Sequence, residues 1–267
     1  MELFVALLEL CVAVGVAVGI VALVRKLPIA KEFKGTNDVA GFYITIIGTI
    51  YAVILAFMLF AVWTRFDTAV DTVDQEANAL TDLFRLAVSL PNPERFQIQE
   101  TARTYAESVI GEEWATMRHR QPARQTVARY DRLWLLITQI RAGSPHDQVI
   151  IDHMLTRLTD MAAARRSRLL KARTGLPGIL WFVMIAGGFI TVAFSAFFGV
   201  ERFALHAFKA SVLTITIFIV LYATAEINGP FRGNVSVSPG AFEQAIGTLK
   251  HVSAGVTPLN RRAPNGF

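Results

Sequence analysis

The sequence predicts an all-α membrane protein with four transmembrane helices and a helical soluble insert between the second and third. Three observations carry this. Four long segments are apolar and almost free of charge, the polar stretch between them repeats its apolar residues at helical spacing, and no stretch alternates like a strand. A helix crossing ~30 Å of hydrocarbon needs about 20 apolar residues. Composition agrees: 53% of the 267 residues are hydrophobic and 18% are charged, against roughly 45–50% and ~25% in soluble domains.

The first segment, Leu3 to Val24, is apolar apart from Glu9. Glu2 precedes it and Arg25-Lys26 closes it. A secretory signal peptide has positive charge before its apolar core and small residues after it, so a retained helix is expected here. The second segment, Val39 to Trp63, and the third, Leu176 to Val200, carry no charge. The fourth, Ser211 to Ala225, reaches membrane-spanning length when extended upstream through Phe203, with His206 and Lys209 near its end. The chain therefore divides into a first transmembrane pair (1–63), a helical soluble insert (64–175), a second transmembrane pair (176–226) and a C-terminal tail (227–267).

Within the insert, "FDTAVDTVDQEANALTDLFRLAVSL" from Phe66 puts Ala69, Val73, Ala77, Leu80, Phe84 and Ala87 on one helical face. "PNPE" from Pro91 stops this helix, because proline lacks the amide donor and restricts the residue before it. A second helix is expected from about Glu94 to Met117, with Pro122 breaking the pattern. A third covers about Thr126 to Arg141 and ends at "AGSP". A fourth runs from about His146 to Lys171 and leads towards the third span. In the tail, "PGAFEQAIGTLKHV" reads as a short helix and "APNGF" as a frayed end.

Charge and motifs exclude several functions. The net charge of +5 is ordinary for a membrane protein, where Lys and Arg serve topology, so no nucleic-acid partner is expected. An even number of spans puts both termini and the insert on one side. Arg165, Arg166, Arg168, Lys171 and Arg173 favour a cytoplasmic side. The single cysteine, Cys11, cannot form an intrachain disulfide. There is no P-loop, H-E-x-x-H, cysteine pair or glycine-rich turn after a strand. His119, His146, His153, His206 and His251 are scattered without ligand spacing, so no enzyme, metal or cofactor is expected.

Several residues are candidates for function. Glu9 is acidic inside a span, either functional or reaching back to the interface. Glu112, Glu113 and Trp114 read either as a general-acid pair or as a charged helix surface with its Trp packed on membrane or partner. The second span is the most informative. Thr45, Gly48, Thr49, Ala52 and Ala56 form a small-residue stripe of the kind that lets helices approach in lipid. Beside it lie Ile46, Ile50, Val53, Phe57 and Phe60, a bulky stripe. In a monomer both stripes would be packing or lipid contacts. In a ring of subunits, Ile46, Ile50, Val53 and Phe57 would instead line a pore as apolar collars, which gate by dewetting.

The order of features is distinctive: two spans, "FDTAVDTVDQEANAL", "PNPERFQIQETARTYAESVIGEEWATM", an Arg-rich approach to the third span, and "GPFRG" after the fourth. It resembles the bestrophin-like membrane proteins of bacteria and plants over about Asn37 to Pro239. The most specific pieces are "QEA" at Gln75 to Ala77, "Y…EEW" at Tyr105 to Trp114 and "PFRG" at Pro230 to Gly233. The resemblance implies a homo-oligomer, pentameric in bestrophins, that passes chloride or other small anions through a pore lined by the second span. The bestrophin neck motif does not align with "ITIIGTIYAVILAF", so the four pore candidates rest on periodicity.

The motif residues then acquire expected places. Pro230 stops the fourth span, Gly229 and Gly233 permit a sharp turn, and Phe231 tucks into the helical bundle. Arg232 meets a carboxylate, Glu76 or Glu113, or else is a plain interfacial arginine. Two other functions compete with an anion channel among membrane lipids. A proton-driven motor or transport subunit would use Glu9, and a non-conducting scaffold would present the insert to partners.

Overall fold

A computed structural model describes residues 2–255 apart from 120 and 122. Expectations for Pro122 and for "APNGF" fall outside the described residues. Among the described residues there is no strand, and four helices are long and apolar enough to span a membrane. By their internal contacts the residues form two compact units, 1–65 with 175–228 and 66–174 with 229–267.

The first unit contains the apolar helices: α1 (Glu2–Val24), the first part of α2 (Asn37–Leu86), α7 (Gly178–Ser195) and α8 (Phe203–Ile227). Its buried residues form small clusters. Val21, Val24, Ala196 and Ala210 make one, and Tyr51, Leu55 and Met184 make another. Most of the remaining apolar surface is exposed, as expected of helices whose solvent is lipid. Contact between α2 and α7 is close because glycine leaves room. A Cβ at Gly187 would sit 2.6 Å from Tyr51 Cδ2, and one at Gly188 would sit 2.7 Å from Tyr51 Oη. The Tyr51 hydroxyl donates to the Met184 carbonyl at 2.8 Å.

In the second unit the expected face of α2 is the core: Ala69, Val73, Ala77, Leu80, Phe84 and Ala87 are all buried. The helix that begins at Asn37 does not stop at the end of its apolar segment but continues to Leu86. It gives way to a tight 3₁₀ turn (Ala87–Ser89) and then to extended Leu90, the conformation proline imposes on the residue before it. The next expected helix is interrupted. It runs as α3 (Glu94–Ser108), a π-helical turn (Val109–Glu113) and α4 (Trp114–Arg118).

Helices α5 (Arg124–Thr138) and α6 (Pro145–Arg173) follow. Ser144 caps α6, its side-chain oxygen accepting from the Asp147 amide at 3.1 Å, with Pro145 at the first helical position. The tail belongs to this unit: α9 (Gly240–Gly255) packs on α3, and Phe242, Ala245 and Leu249 join the core.

Candidate functional site

In the first unit the candidates lie on α2, which packs within its own chain through Tyr51, Leu55 and Val62. At 100° per residue these three lie opposite the bulky stripe. Ile46, Ile50, Val53 and Phe57 are accordingly 42, 58, 49 and 66% exposed, and Phe60 is exposed beside them. Thr45, Thr49, Ala52 and Ala56 are exposed too, with Gly48 half-buried. Both stripes are thus left largely uncovered within the chain, as the lipid-contact reading allows. Gly48, Ala52 and Ala56 border an open apolar groove of about 410 Å³, facing Thr191, Leu213 and Thr216. Glu9 is exposed on α1.

In the second unit the motif residues converge on one buried arginine. Arg168 on α6 is fully buried and grips Glu76 of α2 through both ends of its fork, Nε to Oε2 at 2.6 Å and Nη2 to Oε1 at 2.9 Å. The same Nη2 donates to Glu113 Oε2 at 2.7 Å, and Nη1 meets the Met117 sulfur at 3.0 Å. Arg165, one turn earlier, donates to Glu113 Oε1 at 2.5 Å. Tyr105 donates to Glu76 Oε1 at 2.5 Å. Two carboxylates and two guanidinium groups leave no net charge, which is how a dry core tolerates four ions.

Aromatic rings close the cluster. The Arg168 guanidinium carbon lies 5.6 Å from the centroid of the Trp114 ring and 5.8 Å from that of Phe242, and Arg165 lies 5.3 Å from that of Tyr130. Phe231 is buried edge-on against Trp114 at 5.7 Å, as expected of the "PFRG" turn. Gly233 adopts φ 78°, in the left-handed region that favours glycine. The Trp114 indole donates to the Val237 carbonyl at 3.2 Å, and the Val237 amide donates to Pro230 at 2.7 Å, which ties the turn to the cluster.

Two expectations are corrected. Arg232 pairs with neither Glu76 nor Glu113 among the described residues. Its amide instead donates to Gly229 at 2.8 Å within the turn. Glu113 is not part of a charged helix surface, because it is fully buried, while Glu112 is half-buried. The reason is the π turn. Tyr105 and Glu113 would stand about 80° apart on a regular α-helix, and one extra residue in a turn reduces this to about 20°. Tyr105 and Glu113 thereby reach the same core.

Electrostatics follow from burial. Dehydration, then the neighbouring Glu76 charge, push the Tyr105 hydroxyl well above the usual tyrosine range. Burial works against the charge on Arg168, but the contacts with Glu76, then Tyr105 and Glu113, outweigh it and hold the guanidinium more basic than an ordinary arginine.

Sequence reasoning assigned Arg165 and Arg168 to topology and missed their partners. A signal was present: Leu158, Met161, Arg165, Arg168 and Ala172 recur at helical spacing, and all five are buried. Among the described residues no group of three or more His, Cys, Asp or Glu side chains is placed to hold a metal.

Comparison with known proteins completes the site. The Bestrophin-like domain model matches residues 11–242. No curated protein matches the sequence. Crystal structures of a bacterial bestrophin homologue from Klebsiella pneumoniae share the fold. One, a point mutant, is 14% identical with a TM-score of 0.69, covering 92% of this chain and 99% of its own. Another is 14% identical with a TM-score of 0.67, covering 91% of this chain and 98% of its own. A model that spans most of the chain, including both the apolar helices and the charge cluster, shows that the protein belongs to the Bestrophin-like family.

Proposed function

We propose that the chain is the non-enzymatic subunit of a homo-oligomeric channel that passes chloride or other small anions. Ile46, Ile50, Val53 and Phe57 would face a central pathway. The observation that carries this is the exposure of those four side chains on the face of α2 opposite its packing residues Tyr51 and Leu55. Around an axis they would stack as apolar collars, which close by dewetting and offer no fixed charge to attract cations. A pentamer, as in bestrophins, is the expected ring. The insert and both termini would be cytoplasmic, and a cysteine at Gln121 should then stay unlabelled by an impermeant reagent in intact cells.

Chloride flux in liposomes reconstituted with the purified protein tests the reading. Ile50→Ala or Phe57→Ala should raise the flux, because a smaller collar admits water, while the oligomer stays intact. Absence of flux from wild type and both variants, with the oligomer preserved, would favour a non-conducting scaffold. A proton flux abolished by Glu9→Gln would favour a motor or transport subunit.

A further inference from the structure

At the end of the first unit where α1 finishes and α7 gives way to α8, the chain forms a pocket of about 710 Å³. We propose that this pocket binds a phosphate oxyanion, presented by the headgroup of an anionic phospholipid. The inference is independent of conduction and of the second-span residues.

The pocket lies at headgroup depth, since it is lined by the residues that end or follow the membrane-spanning segments: Val24, Leu27 and Phe33 on one side, Ala196 and Phe198 on the other. Its charged wall holds Arg25, Lys26, Lys34 and Glu201. Lys34 reaches Glu201 at 2.8 Å and holds that carboxyl below its ordinary value, so this pair cancels. Arg25 and Lys26 remain, and among the described residues neither has a carboxylate partner. Two uncompensated cations beside apolar walls suit a ligand with an anionic head and an aliphatic body.

Arg25 is also pre-positioned. Its half-buried guanidinium donates to the Val200 carbonyl at 2.6 Å and to the Glu201 carbonyl at 2.8 Å, and sits 5.9 Å from the centroid of the Phe203 ring. A guanidinium has five N–H donors. Neutral carbonyls take two bonds and leave its full charge to a ligand. The loop it grips is locked from the other side. The Asn37 amide accepts from Gly199 N at 2.8 Å and donates to Gly199 O at 3.3 Å. A ligand therefore meets a cation already held in place, which lowers the ordering cost of binding.

The test uses the full-length protein in phosphatidylcholine nanodiscs with and without phosphatidylglycerol. Unfolding temperature and bound lipid, counted by native mass spectrometry, are the readouts. Phosphatidylglycerol should bind and raise the unfolding temperature. Lys26→Gln should weaken binding about fivefold, the effect of one basic side chain near an anionic surface. Arg25→Gln also strips two carbonyl bonds, so the exposed Lys26 carries the decisive comparison, with Lys250→Gln on α9 as the basic control. Inorganic phosphate titrated into phosphatidylcholine nanodiscs separates the sources. Equal stabilisation by phosphate alone, sensitive to Lys26→Gln, identifies a free-oxyanion site of the same chemistry. Phosphatidylglycerol binding unchanged in Lys26→Gln, or no response to either ligand, would overturn the proposal.

Discussion

Phe57 and Phe84 are the same residue on the same helix, yet Phe57 is 66% exposed and Phe84 is 2% exposed. The difference lies in what surrounds each ring. Around Phe57 the neighbours are membrane-spanning helices, and lipid tails solvate a phenyl ring as well as protein does, so nothing drives it inward. Phe84 lies in the packed core of the second unit, where burial brings an aromatic side chain against other apolar groups. Charge shows the reverse. The second unit buries Glu76, Glu113, Arg165 and Arg168 together, while Glu9 on α1 stays exposed within its chain. Apolar exposure therefore characterises the first unit, and charge burial the second.

That contrast can be broken most forcefully at Arg168. Arg168→Met leaves Glu76 and Glu113 buried without their shared cation, and should destabilise the second unit by about 3–5 kcal/mol. Glu76→Gln should be similarly damaging, but the double variant should cost much less than the sum, as a double-mutant cycle on detergent-solubilised protein would show. Additivity would mean that the two side chains act independently.

The two phenylalanines give the next comparison. Phe84→Ala opens a cavity in a packed core and should cost about 3–5 kcal/mol. Phe57→Ala should change the unfolding free energy of the detergent-solubilised protein by less than about 0.5 kcal/mol, as for surface positions. Equal losses at both sites would erase the distinction between the units.

Tyr105 offers a smaller effect with a pH signature. Tyr105→Phe removes a hydrogen bond to a buried carboxylate, worth about 1.5–3 kcal/mol. Because the folded hydroxyl titrates well above the ordinary value of about 10, the unfolded chain loses its proton first as pH rises. The associated stability is complete below about pH 10 and declines above it. Denaturation followed from pH 8 to 11 should show that alkaline decline in wild type and a flatter profile in Tyr105→Phe.

The smallest effect belongs to Lys34 and Glu201, an ion pair at 2.8 Å between exposed side chains. Lys34→Ala should leave the unfolding temperature unchanged, since exposed pairs are screened and entropically costly. A clear loss there would show that location in the first unit does not make ion pairs negligible.

The helical nature of the chain was legible because hydrophobic periodicity and span length are local properties. The core face from Ala69 to Ala87 could be read for that reason, as could the stop at "PNPE" and the burial of Phe231 after a Gly/Pro turn. The charge cluster was legible only in pieces. "QEA", "EEW" and the arginines of α6 each stand out, but matching Glu76 to Arg168 requires residues from distant parts of the sequence to meet. Arg232 was the nearer guess because it sits in a marked motif, whereas Arg168 is hidden in a run of arginines that topology already explains.

By itself, then, the sequence determined which segments are apolar enough to enter lipid, where the backbone must turn, and which face of each helix is apolar. Those follow from side-chain chemistry and helix period alone. Tertiary structure decided which apolar face stays uncovered on α2, how a π turn swings Glu113 inward, and which arginine it meets. Such outcomes depend on the competition among distant groups for the same buried space, and no local pattern records who wins it.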